Sequence, residues 1–471
     1  MKFTKYLLTF IAGLGLMACS DTTEVGIDDA EQGVPTYMTL SIQLPGSPSS
    51  RALPEDYNPD GDYEGNDGVE TLDVYIVSGD GTIDPYRFAG DGLAAIDASG
   101  IIEPSQPFRT TSGTKTIYVV VNSPTPLNAN LVTVDTALIS VNGLAELRTV
   151  DGTTYDVITM TGKVTGVSIL PDITQQAVVG GENRVTIDVT RMASRAIVTS
   201  TAANTITDDN GTTIGTLSDV TYSIAQGTDS IYFLPRANYV TYGYNYVPET
   251  DAQYIAQAEQ YYDYSDLLTP SPVPAQPAAA DGYKSLPGKF LFENTHASGD
   301  LRTTQYRKGN TAYVLVRATF TPDPGAIADG ATLTNGTFYV GQSDGLIYSS
   351  RQAAQAAVQN QRVALYENGK MLYYAWLNPD NISLPLNSPV IRNNIYHVNI
   401  TGFSRIGYNW NPLYPEDPDS PNPANPDPKP SNPDEPESPI DPTDPLSPEQ
   451  TYMTVEVNIL NWLVHSYDIQ L

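Results

Sequence analysis

Apolar and polar residues alternate along two nine-residue stretches that are near copies of each other. Thr36-Tyr-Met-Thr-Leu-Ser-Ile-Gln-Leu44 is echoed in register by Thr451-Tyr-Met-Thr-Val-Glu-Val-Asn-Ile459. Met38, Leu40, Ile42 and Leu44 correspond to Met453, Val455, Val457 and Ile459. A period of two puts those side chains on one face of a half-buried β-strand. Two strands with one pattern fit one slot in a sheet, in turn or in competition. The echo therefore suggests a subunit that closes its own groove before assembly and a neighbour's groove afterwards.

The same alternation predicts strands at Thr71–Val77, Thr116–Asn122, Asp156–Met160, Val164–Leu170 and Arg184–Val189. Arg191–Val198 opens a further strand and marks a domain junction. Beyond it, strands are predicted at Val220–Ala225, Ile231–Leu234, Ala312–Phe320, Thr337–Val340, Met371–Ala375 and Ile395–Thr401. Turn residues separate them at the spacing of a β-sandwich. Asp251–Tyr262 and Ser350–Gln361 are rich in alanine and glutamine, lack glycine and proline, and read as helices. The fold class is all-β with short helical insertions. The expected division is a signal segment at 1–18, a propeptide at 19–51, an N-terminal domain at 52–190 and a C-terminal domain at 191–411 plus 450–471. An acidic Pro-rich linker at 412–449 precedes the last strand.

Charge narrows the partners. The chain carries 24 basic and 54 acidic residues, a net charge of −30, which argues against nucleic acid or an anionic membrane surface. Lys2 and Lys5 precede an apolar run from Leu7 to Met17, and Leu16-Met-Ala-Cys19 has the form of a bacterial lipobox. On that reading the protein is exported and Cys19 is acylated. Cys19 is the one cysteine, so the exported body holds no internal disulfide. Ser20–Val34 reads as a tether. Arg51 stands alone between Lys5 and Arg87 in a Pro/Gly/Ser-rich loop, an exposed site for a trypsin-like cut. In the linker, proline alternates with Asp, Glu, Asn and Ser, which predicts an extended stalk giving the last strand reach.

Catalytic chemistry is thin. His296, His397 and His465 lie far apart without metal-ligand spacing, and no hydrolase, nucleotide or metalloprotease motif occurs. Asp56, Asn58, Asp60, Gly61 and Asp67 fall at calcium-loop positions. Pro59, an aspartate in place of the bidentate glutamate, and the lack of flanking helices favour a solvated acidic loop instead. No metal, cofactor or catalytic residue is expected. Eight tyrosines between 239 and 264 form either a binding surface or packing for an irregular loop.

Several segments, in order, resemble the fimbrillin family of pilus subunits from Bacteroidales, most of all its minor-fimbria branch. They are the lipobox at Cys19, Arg51 behind a first strand, Arg191–Ala196, Phe292-Glu-Asn294, Thr311–Arg317, Tyr366–Tyr374, Arg392–Tyr396, Ile406-Gly407 and Val455–Trp462. The resemblance implies two transthyretin-like Greek-key β-sandwich domains and an outer-membrane lipoprotein precursor maturing into cell-surface fimbriae. It implies cleavage by an arginine-specific protease between Arg51 and Ala52, which removes Thr36–Leu44 as a placeholder strand. Met453, Val455, Val457 and Ile459 of a donor strand then enter the groove of the next copy. Expected partners are further copies in a head-to-tail homopolymer, anchor and tip subunits, and a receptor on a host or bacterial surface. The alternative is a monomeric surface lipoprotein that binds glycans or host proteins through its tyrosines.

Overall fold

The computed structural model describes residues 33–45, 62–97, 99–237, 240–278, 286, 288–296, 305–377, 390–413, 440–446 and 452–464. Cys19, Arg51, Ala52 and the calcium-like positions before Asp62 lie outside them.

The all-β class read from the alternation is the class observed, with sheets layered face to face. One sheet places Pro35–Gln43, hereafter the early strand, between Arg184–Asp188 and the pair Ile101–Ile102 and Phe108–Thr111. A second runs in the order Thr190–Arg191, Met160–Ile169, Gly113–Val121, Thr71–Ser78, Ile83–Ala89. Their inward positions meet in one core of Met38, Leu40, Ile42, Leu72, Val74, Ile117, Val119 and Ile187. Runs such as Ile117–Val121 are buried on both faces, so they are apolar throughout.

A second pair of sheets comes next along the chain. One has the order Asp62–Gly65, Met453–Val464, Asn394–Phe403, Ser194–Ser200, Lys289–Leu291. The other runs Thr205–Thr207, Thr213–Ala225, Tyr313–Pro322, Lys370–Trp376. Alternation divides this last sheet between two cores. Val314, Val316, Phe320, Met371 and Tyr373 face the partner sheet. Tyr313, Leu315, Leu372, Tyr374 and Trp376 face a tyrosine-rich core on the other side.

That outer core absorbs the tyrosine cluster. Helix Asp251–Tyr261 starts on Thr250, whose hydroxyl accepts from the Gln253 amide. The helix and its flanks bury Tyr246, Tyr254, Tyr262 and Tyr264, with Tyr246 stacked on Tyr261 at 4.8 Å. Those four rings are packing rather than a displayed surface, Tyr242, Tyr244 and Tyr261 are half-buried, and Tyr239 lies outside the described residues. His296 is sealed beside them, its Nε2 2.6 Å from the Asn310 carbonyl, and burial lowers its pKa from 6.5 to about 4.

That burial predicts acid sensitivity. Below about pH 6.5 the unfolded chain takes up a proton that the folded chain refuses until about pH 4, so stability falls as pH drops. The loss reaches on the order of 3 kcal/mol at the lower end. Urea unfolding across that window should show it, and His296→Gln should flatten the slope.

Candidate functional site

The early strand is an interior strand with a neighbour along each edge. Thr39–Gln43 pair in parallel with Arg184–Asp188. On the other edge, Pro35–Met38 and Ile42–Gln43 pair antiparallel with Phe108–Thr111 and Ile101–Ile102. Met38, Leu40, Ile42 and Leu44 each have 0% exposure. On the opposite face Thr39 and Ser41 are buried too, and near the strand's start Thr36 Oγ1 accepts from the Ile173 amide at 3.0 Å and Asn183 Nδ2 donates to the Tyr37 carbonyl at 3.0 Å. Ser41 donates to Glu103 Oε1 at 2.6 Å and accepts from Arg184 Nη1 at 3.1 Å, beside an Arg184–Glu103 ion pair. In the echo the residue at this place is Glu456, the one charged departure between the two copies.

The terminal strand, Met453–Val464, lies in its own C-terminal sheet. It runs antiparallel to Asn394–Phe403 from Met453↔Phe403 to Asn461↔Asn394, with a register shift near Gly402. Met453 is buried, and Val455 and Val457 pack at the margin of the core. The side chain of Ile459 lies outside the described residues. Along its other edge Asn461–Val464 pair in parallel with Asp62–Gly65. Among the described residues no second strand runs beside Met453–Leu460. The two copies thus occupy different slots: the early strand is enclosed, and among the described residues the terminal strand has no neighbour along most of one edge.

A cluster of buried charges fixes the far end of the terminal strand. Arg191, fully buried, grips Asp67 with Nε–Oδ1 at 3.0 Å and Nη2–Oδ2 at 2.6 Å. Its Nη1 donates to Asn393 Oδ1 at 3.0 Å and to the Trp462 carbonyl at 3.2 Å. Its guanidinium lies 4.6 Å from the centre of the Trp462 ring, which stacks on Phe290. Beside it Arg195 holds Asp156 through two contacts of 2.9 Å. Burial pushes the Asp156 carboxyl up against the pull of Arg195. A third pair joins Arg392 Nε to Glu293 Oε2 at 2.7 Å.

Segments far apart in sequence meet here, among them Arg191–Ala196, Glu293, Arg392 and Trp462. The expectation of a solvated acidic loop is corrected at Asp67, which is 1% exposed because Arg191 neutralises it in the interior. Sequence reading missed these pairings. The available signal was three arginines set in apolar runs, which need buried acidic partners. Among the described residues no group of three or more His, Cys, Asp or Glu is placed to hold a metal.

Residues 364–468, which span the terminal strand and its neighbour in the sheet, match the family described as major fimbrial subunit protein type IV, fimbrillin, C-terminal. Two proteins of Porphyromonas gingivalis named minor fimbrium subunit Mfa1 are similar to the whole chain. They are 35% identical over 518 residues and 34% identical over 514, each alignment covering 100% of both chains. Among solved structures, a fimbrilin of the same species aligns over 91% of this chain and 98% of its own, at 13% identity and a TM-score of 0.43. Its tip fimbrial protein Mfa3 aligns over 91% and 100%, at 10% identity and a TM-score of 0.35. With full-length identity to the Mfa1 proteins at this level, the chain belongs to the fimbrillin family, in the branch of the minor-fimbrium subunits.

Proposed function

We propose that this structural subunit of cell-surface fimbriae polymerises by exchanging the early strand for a neighbour's terminal strand. The precursor is acylated at Cys19 and held at the outer membrane. An arginine-specific protease cuts between Arg51 and Ala52, which severs both the lipid and the early strand from the body. The terminal strand of the next copy then takes the vacated place, with Met453, Val455, Val457 and Ile459 entering where Met38, Leu40, Ile42 and Leu44 had been. Anchor and tip subunits close the two ends, and a surface receptor is engaged by the finished fibre. The body is read as two domains, 52–190 and 191–411 with 450–471.

The observation that carries this reading is the pairing of an enclosed early strand with an echoed strand that, among the described residues, has no neighbour along most of one edge. Both carry the same apolar pattern in sequence, so an exchange would place similar side chains in the slot. Against a glycan-binding monomer stands the packing of Tyr246, Tyr254, Tyr262 and Tyr264 in the interior.

Digestion of precursor lacking the lipid with an arginine-specific protease tests the proposal. A new N-terminus at Ala52 together with SDS-resistant ladders is expected. A clean monomer after complete cutting would sink it.

A further inference from the structure

Resting on the strand-exchange reading, we propose that residues 440–446 form a clasp that stays docked on the body while the terminal strand moves. The reach of the strand is then counted from Leu446.

The two ends of the Pro-rich insertion come back to one place. Leu413 at its start and Ile440 and Leu446 at its end are all buried in the tyrosine-rich core, with Tyr246, Tyr254 and Trp376. Asn411 pins the start, with Nδ2 donating to the Tyr313 hydroxyl at 3.2 Å. An insertion whose ends share one core adds no reach to the strand beyond it. This corrects the expectation of a stalk, which treated the whole insertion as free.

The seat of the clasp is built to receive it. The Lys308 amide donates to the Asp444 carbonyl at 3.0 Å, and the Gly309 amide donates to the Pro442 carbonyl at 2.9 Å. Arg307 and Pro445 form an antiparallel bridge, and Lys308 Nζ sits 3.0 Å from Asp444 Oδ2. Within the clasp, Asp441 Oδ1 accepts from the Thr443 amide and hydroxyl at 2.8 and 2.7 Å, closing a turn. The seat itself is rigid: Gln226 Nε2 donates to the Lys308 and Thr311 carbonyls, and its Oε1 accepts from the Tyr254 hydroxyl. Gly309 is the closest approach. A Cβ there would lie 2.7 Å from Pro442 Cβ and 2.9 Å from Tyr254 Cδ2, so only glycine lets clasp and helix meet over it.

The consequence is a distance. Seven steps from Leu446 to Met453 span about 25 Å at full extension, whereas forty steps from Leu413 would span about 140 Å. With the clasp closed, a neighbour's slot must come within about 25 Å of Leu446 to receive the start of the strand. The clasp thereby sets the spacing of subunits along the fibre.

A chain starting after Cys19 has no cysteine, so a single pair can be introduced. Arg307→Cys with Pro445→Cys locks the clasp when oxidised. After cutting at Arg51, the oxidised variant is expected to form ladders within twofold of the wild-type rate. Ladders lost on oxidation and restored by reduction would overturn the proposal. If wild type forms no ladders either, strand exchange itself has failed, and hydrogen exchange on the uncut chain still decides the clasp. The Lys308 and Gly309 amides should exchange at least tenfold more slowly than those of Met453–Leu460 that face Asn394–Phe403. Equal or faster exchange would show a clasp that opens with the strand.

Discussion

Cutting the chain after Arg51 is expected to leave the two pieces together. The cut removes a covalent link, whereas the early strand is held by contacts. Both of its edges are paired and four of its apolar side chains are fully buried. That burial is worth roughly 6–12 kcal/mol before ordering costs. The ladder hydrogen bonds add about 1 kcal/mol each. In native mass spectrometry or gel filtration of the fraction that is still monomeric, the fragment ending at Arg51 should travel with the body after complete cutting. It should leave in strong denaturant, or on addition of a peptide covering 451–464. Prompt loss of the fragment without either would mean that the slot empties unaided. The competing peptide brings Glu456 to the place where Ser41 lies between Arg184 and Glu103. Two carboxylates would then share one arginine, so a Glu456→Ser peptide should displace the fragment faster.

Arg191→Ala should be the most damaging single substitution in the body. It removes a bidentate partner from Asp67, a hydrogen bond from Asn393 and another from the Trp462 carbonyl, in a site with no exposure. Leaving Asp67 buried without its partner costs about 3–5 kcal/mol. Urea unfolding measures the loss directly. Arg191→Met combined with Asp67→Leu should recover most of it, because removing both charges removes the stranded one. If the single variant lost less than about 1 kcal/mol, Asp67 would have found water or another partner.

Much of this architecture is legible in the periodicity, and the failures are instructive. Alternation predicts a strand at Thr71–Val77, and Thr71–Ser78 is one. A helix is predicted at Asp251–Tyr262, and Asp251–Tyr261 is observed. The helix predicted at Ser350–Gln361 runs only from Arg351 to Ala357, because Val358 turns to extended dihedrals. Its β-branched side chain gives little support to a further turn. Pairing across long separations is not legible. Nothing near Asp67 announces Arg191, which lies 124 positions away. The tyrosine-rich stretch is ambiguous in sequence because tyrosine serves both surfaces and cores. In the Pro-rich insertion, composition points to an extended stalk, while Ile440 and Leu446 are the apolar exceptions that mark a return to the body.

The mixed ladder around the early strand has a consequence for growth. Its slot has a parallel neighbour on one side and an antiparallel neighbour on the other. These two ladders place their hydrogen bonds differently, so a strand entering the wrong way round would meet mismatched donors and acceptors on both edges. A slot of this kind reads orientation as well as side chains. Every joint formed through it would therefore point the same way, and a finished filament would have two chemically distinct termini. One would present a slot and the other a strand. A protein that stops growth at one terminus would have nothing to grip at the other.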